Sequence, residues 1–430
     1  MRRICEVPMN SVYKNKLTNK ESFMHEKDNC SRLSKFITWI VLLFMPLSTY
    51  AAYVEGITFG DILLILGVLL ITTDIFLNKK INLLNIIATP LLLYMIFIII
   101  HSLIFWMIKP YELSEGLLGV SRYLLYLYFA MNGAKYYFNY DYGYKIYKKL
   151  AILFALYCIA QYFSYNFFST VLPVNLFGLP TFDDISAITS KYNISMYQTG
   201  AVLYRPRSVF LEPAYFAAYQ IPILYLILNN KNEKYLTKYS SAILITASIF
   251  LAGTTTGILM QFLCWWKPII TELKKISFKF VNLIIIAIPC VYLFISSDYW
   301  QRVSNRIISN DGTLGTSVTG RIQNYKIFFD GRLSWDQLLF GQGKWVSVGY
   351  LPSYGELIIS FGLVGLVVFS VVMLLTYLKT QKIGKAMTLL LLVMCIGTNT
   401  LFNITSVLMF FLIYSDSKSN IRYNFSGKQN

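Results

Sequence analysis

The sequence predicts an all-α polytopic membrane protein of about twelve transmembrane helices, two pairs of them short hairpins, with two large outer loops. Three observations predict it. Hydrophobic residues make up 56% of the chain and charged residues only 14%, with a mean hydropathy of +0.53, whereas a soluble domain is about a quarter charged. Apolar runs of about 20 residues, the length that crosses a bilayer, recur along the chain. Lysines gather in the short segments between alternate runs, where they set orientation.

A basic tail, 1–35, opens the chain and is assigned to the cytoplasm; a second tail, 416–430, closes it on the same side, and 36–415 form one transmembrane domain. The first apolar run begins only after the long tail, which suits a retained span rather than a cleaved signal peptide. Clear spans cover 36–53, 59–76, 84–107, 117–131, 150–172 and 210–228. Lys79-Lys80, then Lys135 with Lys145, Lys148 and Lys149, then Lys231, Lys234 and Lys238 follow the second, fourth and sixth. These segments face the cytoplasm by the positive-inside rule, so the loop 173–208 faces out. The net charge of +17 is spent on orientation, and nucleic acid is no partner.

The runs 240–266 and 386–414 each carry a polar cluster at mid-run, Gly253-Thr254-Thr255-Thr256-Gly257 and Gly397-Thr398-Asn399-Thr400. Such clusters suit a turn better than a helix buried in lipid. Reading both runs as hairpins of half-length helices keeps Lys267, Lys274, Lys275, Lys279, Lys379, Lys382 and Lys385 inside; single spans would put them outside. Their density near span ends favours the hairpins. Ordinary spans at 280–296 and 356–378 flank the second outer loop, 297–355.

On this topology six of the eleven arginines, Arg205, Arg207, Arg302, Arg306, Arg321 and Arg332, lie in two outer loops. Orientation does not explain arginine outside. The guanidinium is a rigid fork of donors that matches phosphate oxygens, so Arg205, Arg207 and Arg321 read as phosphate ligands. Arg302 and Arg306, on an amphipathic stretch, suit lipid head groups. Glu212 precedes Pro213 and should stand at a helix start, as a cap or as a base for a sugar hydroxyl. In the second loop Thr319-Gly320 predicts a helix start, with Arg321 in the first turn and Tyr325 on the same short helix. Gly341-Gln342-Gly343-Lys344 lacks the spacing of a phosphate-binding P-loop. Ser353, Tyr354, Gly355 and Glu356 lead into the next span; Glu356 is a cap or a second substrate contact.

Within the spans, Asp74 lies near a cytoplasmic end, Arg122 can snorkel to an outer end, and His101 is the one histidine outside the tail. One histidine excludes an ordinary histidine metal site, and the pair Asp183-Asp184 reads as solvated loop rather than as a cation site. No metal ligands are therefore assigned. Cys5, Cys30, Cys158, Cys264, Cys290 and Cys395 show no disulfide framework.

In this order RPRSVFLEPAYFAAY, the LAGTTTGIL break, GRIQNY, LLFGQGKW and SYGELIISFGLVG resemble the Wzy-type O-antigen and capsular repeat-unit polymerases of the O-antigen polymerase and ligase superfamily. The resemblance covers most of the chain beyond about residue 150; the N-terminal third matches only as a series of spans. The related O-antigen ligases, which would transfer glycan to lipid A core, carry a histidine-asparagine pair before the corresponding span. Residues 349–353 here contain no histidine, which favours polymerase.

The resemblance implies a glycosyltransferase C-like fold and a metal-independent enzyme with no cofactor. It implies polymerisation of undecaprenyl-pyrophosphate-linked repeat units at the periplasmic face of the bacterial inner membrane. A flippase and a chain-length regulator of the same pathway would be its partners. Arg205, Arg207 and Arg321 would hold pyrophosphate, with Glu212 and then Glu356 as catalytic carboxylates and Ser208, Tyr325 and Tyr354 as further substrate contacts. A non-enzymatic lipid-oligosaccharide transporter would instead line its path with charge inside the spans.

Overall fold

The computed structural model describes residues 32–52, 56–77, 89–108, 113–174, 179–181, 204–273, 315–343 and 351–415, with 296, 300–301, 304–305 and 313 besides. The described chain is helical. Its helices are α1 (Arg32–Leu47), α2 (Phe59–Leu77), α3 (Thr89–Ile108), α4 (Leu113–Tyr136), α5 (Tyr140–Phe168), α6 (Pro213–Asn229) and α7 (Tyr235–Leu251). Then come α8 (Thr255–Leu273), α9 (Thr316–Tyr325), α10 (Trp335–Phe340), α11 (Ser353–Lys379), α12 (Lys382–Gly397) and α13 (Thr405–Ser415). α2, α5, α11 and the Pro90–Ile108 part of α3 are long and apolar enough to cross a membrane, and α7 and α13 are shorter apolar helices. The protein is a helical membrane protein. The span expected at 280–296 lies outside the described residues apart from Ser296, as do both tails up to Ser31 and from residue 416.

α5 begins ten residues before the apolar run at 150 because Asn139 caps it, its side chain accepting from Tyr142 N at 2.9 Å. Hydropathy alone misses that polar first stretch. Both doubtful runs do break. α7 and α8 are separated by Ala252-Gly253-Thr254, with Gly253 in the left-handed region at φ 61°. α12 and α13 are separated by 398–404. The arms of the first hairpin are 17 and 19 residues, not half-length; at 1.5 Å per residue each is about 25–28 Å long. The run was underestimated because α7 starts among the lysines and α8 continues through Pro268.

Contacts gather the lysine-bearing helix ends. Lys148 pairs with Glu233 at 2.9 Å, joining the start of α5 to the α6–α7 turn. Ser34 donates to Tyr137 O and Lys35 lies over the Tyr142 ring, adding the start of α1 and the end of α4. Phe411 of α13 packs on Phe138 and Phe129, and α13 ends beside Gly384 and Thr376, next to Lys379, Lys382 and Lys385.

The ionisable residues in the spans are internally engaged. Asp74 accepts from the Tyr137 hydroxyl at 2.5 Å, and burial, then that bond, push the Tyr137 phenol above its ordinary range. Arg122 pairs with Asp61 at 3.3 Å and donates to Gly56 O. His101 Nε2 lies 2.6 Å from Phe340 O.

Candidate functional site

The stretch 204–212 is held from below by one glutamine. Gln161, on α5, is fully buried; its Oε1 accepts from Arg207 N (3.1 Å) and Ser208 N (2.7 Å), and its Nε2 donates to Ser208 O (3.0 Å). One amide thus satisfies three backbone groups of a turn that has no other helix or sheet to satisfy them. Ser208 sits in the left-handed region at φ 55°, uncommon for a residue with a Cβ, and is buried. Its place is inside the turn, so it shapes the site rather than lining it. Tyr204 stacks on Tyr165 at 4.4 Å between ring centroids.

The two arginines diverge. Arg207 turns back and donates to Leu211 O, toward the start of α6. Arg205 lines a recess of about 60 Å³ whose other walls are Ala217 and Ala218 of α6, Thr254–Gly257 of the first helix break, and Met394 and Thr398 beside the second. Glu212 occupies the N-cap position of α6, extended at φ −137°, ψ 155°, with Pro213 at the first helical position. Its backbone carbonyl accepts from Tyr215 N and Phe216 N, while its carboxylate makes no capping bond and is exposed. The helix start was legible; of the two roles, the cap is not the one its side chain takes.

The first break is a helix start turned toward Arg205. Thr254 Oγ1 accepts from Gly257 N at 3.1 Å and its carbonyl accepts from Ile258 N, the pattern of an N-cap. That leaves the N–H groups of Thr255 and Thr256 without intrahelical partners, at the positive end of α8 and in the wall of the recess. Gly257 permits the approach: a Cβ there would stand 2.2 Å from Thr254 Oγ1 and 2.8 Å from Ala217 Cβ.

The second break locks onto the first and onto the start of α11. Thr256 Oγ1 donates to Gly397 O at 3.4 Å. Ser353 donates to Thr398 O through both its N (3.1 Å) and its Oγ (2.9 Å), and Ser353 Oγ accepts from Leu401 N at 3.0 Å. Asn403 Nδ2 donates to the Tyr215 hydroxyl, one turn into α6. The Tyr325 ring lies against Gly355, where an added Cβ would meet Tyr325 Cε1 at 3.2 Å. Five polar stretches that stood apart in the sequence therefore meet around one point.

Not every expected residue joins them. α9 begins at Thr316 with Gly315 at its cap, and Thr319 Oγ1 bonds back to Gly315 O at 3.0 Å. Thr319 is inside the helix, not its cap, so Arg321 is the sixth of ten residues and the expectation that it opens the helix is corrected. Its backbone stands one turn from Tyr325; its side chain lies outside the described residues. The Tyr354 hydroxyl donates to Leu392 O at 3.2 Å, which commits it to packing α11 on α12. Glu356 is half-buried in the first turn of α11 and is not among the recess-lining residues. Arg302, Arg306, Asp183 and Asp184 lie outside the described residues. Among the described residues no group of three or more histidines, cysteines or carboxylates could hold a metal.

Sequence reasoning missed Gln161 and the threonines as parts of the site. The signal for Gln161 was an uncharged amide inside an apolar run, which a search restricted to ionisable groups passes over. No family model matches the chain, and no curated protein matches it.

Proposed function

We propose that this chain is a membrane glycosyltransferase that polymerises undecaprenyl-pyrophosphate-linked oligosaccharide units, with its site on the periplasmic side of the bacterial inner membrane. The observation that carries the reading is the recess where Arg205 faces the N-terminal threonines of α8. A fixed guanidinium, helix N–H groups and hydroxyls converging in a partly dry pocket form an anion site. At about 10–15 Å³ per water, 60 Å³ holds about four to six waters. That is the scale of a phosphate group rather than of a sugar chain, so the glycan lies outside it, toward the outer loops.

In the proposed step a hydroxyl of the incoming lipid-linked unit attacks the anomeric carbon of the growing glycan. The bond from that carbon to the pyrophosphate oxygen breaks, and the electron pair leaves with the pyrophosphate. Negative charge grows on the departing oxygen, and Arg205 with the α8 N-terminus stabilises it more than the ground state. Arg207 and Arg321 are assigned to the rest of the diphosphate. Glu212, exposed at the head of α6 a few residues from Arg205, is the first choice to accept the hydroxyl proton, and Glu356 the second. Gathering of the lysine-bearing helix ends supports placing them in the cytoplasm. The twelve-span, two-hairpin topology and the glycosyltransferase C-like fold belong to the same proposal.

Purified protein in vesicles, given a lipid-linked repeat unit, is expected to produce a ladder of longer glycans. Movement of that lipid across the bilayer with no ladder would replace the polymerase by a transporter.

A further inference from the structure

α10 is six residues long, yet every backbone group at its ends is satisfied from within the protein. At its start Ser334 and Gln337 form a reciprocal capping box, Ser334 N donating to Gln337 Oε1 at 3.1 Å. At its end Gly341 N donates to Gln337 O at 2.8 Å, and Phe340 O meets His101 Nε2 of α3. The turn that follows is then bonded to a defect in α11. Gly362, at φ 69° and ψ −172°, breaks the helical course there, so Ile359 O and Ser360 O lose their usual donors. Gln342 N and Gly343 N replace them, at 2.7 and 3.1 Å. Gly362 is required for the approach: a Cβ on it would stand 2.1 Å from Leu339 O.

This docking lies well inside the span. α3 is 20 residues, about 30 Å, which matches the hydrocarbon thickness, and His101 is seven residues, about 10 Å, from its end. Ser360 is likewise seven residues into α11. α3 and α11 run antiparallel here, since Tyr94 meets Phe369 while Phe97 and His101 meet Phe361. α10 therefore sits beside two membrane-crossing helices at a depth where unsatisfied backbone costs several kcal/mol per group. Its outer face carries Trp335, Leu339 and Phe340, at 80%, 41% and 59% exposure. That face continues the exposed apolar surface of Ile104 on α3 and Val364 and Val367 on α11.

We propose that α10 and the Gly341–Gly343 turn form a re-entrant wedge immersed in the acyl region of the bilayer, with Trp335, Leu339 and Phe340 against lipid tails. The occupant of this face is membrane lipid, because the face is continuous with helices whose outer surfaces can meet nothing else if they cross a bilayer. Full backbone satisfaction at both ends is what such immersion demands, and a loop in water has no need of it. The wedge rests on the membrane character of α3 and α11 and not on the polymerase reading.

The full chain and its Trp335→Phe variant, each reconstituted into phosphatidylcholine vesicles, test this. The difference between their emission spectra isolates Trp335. That difference is expected to lose most of its intensity when the lipid is brominated in its acyl chains, and to be unaffected by aqueous iodide. Leu339→Trp, added to the wild-type chain, places a second reporter one turn closer to the α11 kink, and its added emission should show the same pattern. Quenching by iodide at both positions would put the segment in water and overturn the proposal. Protection from both quenchers would mean that protein rather than lipid covers the face, and would overturn it equally.

Discussion

Replacing Gln161 by leucine tests whether this single amide seats the arginine turn. The change keeps the volume roughly constant but strips three hydrogen bonds, leaving the N–H groups of Arg207 and Ser208 and the carbonyl of Ser208 without their partner. A buried polar group left unmet costs about 1–3 kcal/mol. The sum is not additive, because once the turn lifts away water satisfies all three groups together, so the lower end of the summed range, about 3 kcal/mol, is the working figure. Left-handed backbone at Ser208 adds about 1–2 kcal/mol of bias toward release.

At 1.4 kcal/mol per decade, about 3 kcal/mol raises the population of the lifted turn about a hundredfold. Trypsin reports it without reference to function. Arg205 precedes proline and resists cleavage, so the Arg207–Ser208 bond is the one to follow, and cutting through local opening tracks the open population. Gln161→Leu should be cut there about a hundredfold faster than wild type. Gln161→Glu, which keeps the acceptor oxygens but loses the Nε2 donor when ionised, should fall between. A leucine variant cut at the wild-type rate would show that the turn is held by something else.

Three further outcomes follow from the same geometry. Arg205→Lys keeps the charge and loses the fork, so the polymerisation rate should fall at least about tenfold, with Arg321→Lys behaving alike; wild-type rates in both would remove the diphosphate assignment. Gly257→Ala must displace either Thr254 or α6, which closes the recess, and the variant should remain folded by circular dichroism while losing binding of inorganic pyrophosphate in calorimetry. A cysteine at Gly320, where an added Cβ meets nothing within 4 Å, should react with an impermeant maleimide from outside the cell, and one at exposed Asn232 only after permeabilisation; the reverse pattern would invert the proposed orientation.

How much of this was legible in the sequence depended on the kind of signal. The helical membrane class followed from hydropathy, and both breaks followed from polar clusters that lipid does not tolerate. The head of α6 was fixed by Pro213, whose missing N–H and set φ suit a first turn. Helix ends were less legible where polar first turns, as in α5, extend a span beyond its apolar run. The start of α9 was misplaced because Thr319 resembles a cap, although its hydroxyl bonds backward inside the helix. The meeting of the two breaks was not legible at all. Thr256 and Gly397 are 141 residues apart, and no local pattern announces that one hydroxyl will reach one carbonyl.

Yet physical chemistry gives a reason for that meeting. A continuous membrane helix consumes its own backbone donors and acceptors, so it offers an anion little but side chains. Only a broken helix frees N–H groups at a defined point, and in lipid each freed group is a liability unless another part of the protein answers it. Two breaks that face each other answer part of that cost mutually, as Thr256 does for Gly397 and Ser353 does for Thr398 and Leu401. What remains unanswered inside α8 is the pair of N–H groups at Thr255 and Thr256, and these stand in the recess that Arg205 lines. A ligand that is anionic and small at its point of contact completes the set. The polar breaks, the buried Gln161 and the arginine turn are then parts of one arrangement, in which structural satisfaction is left incomplete at the place where a phosphate would finish it.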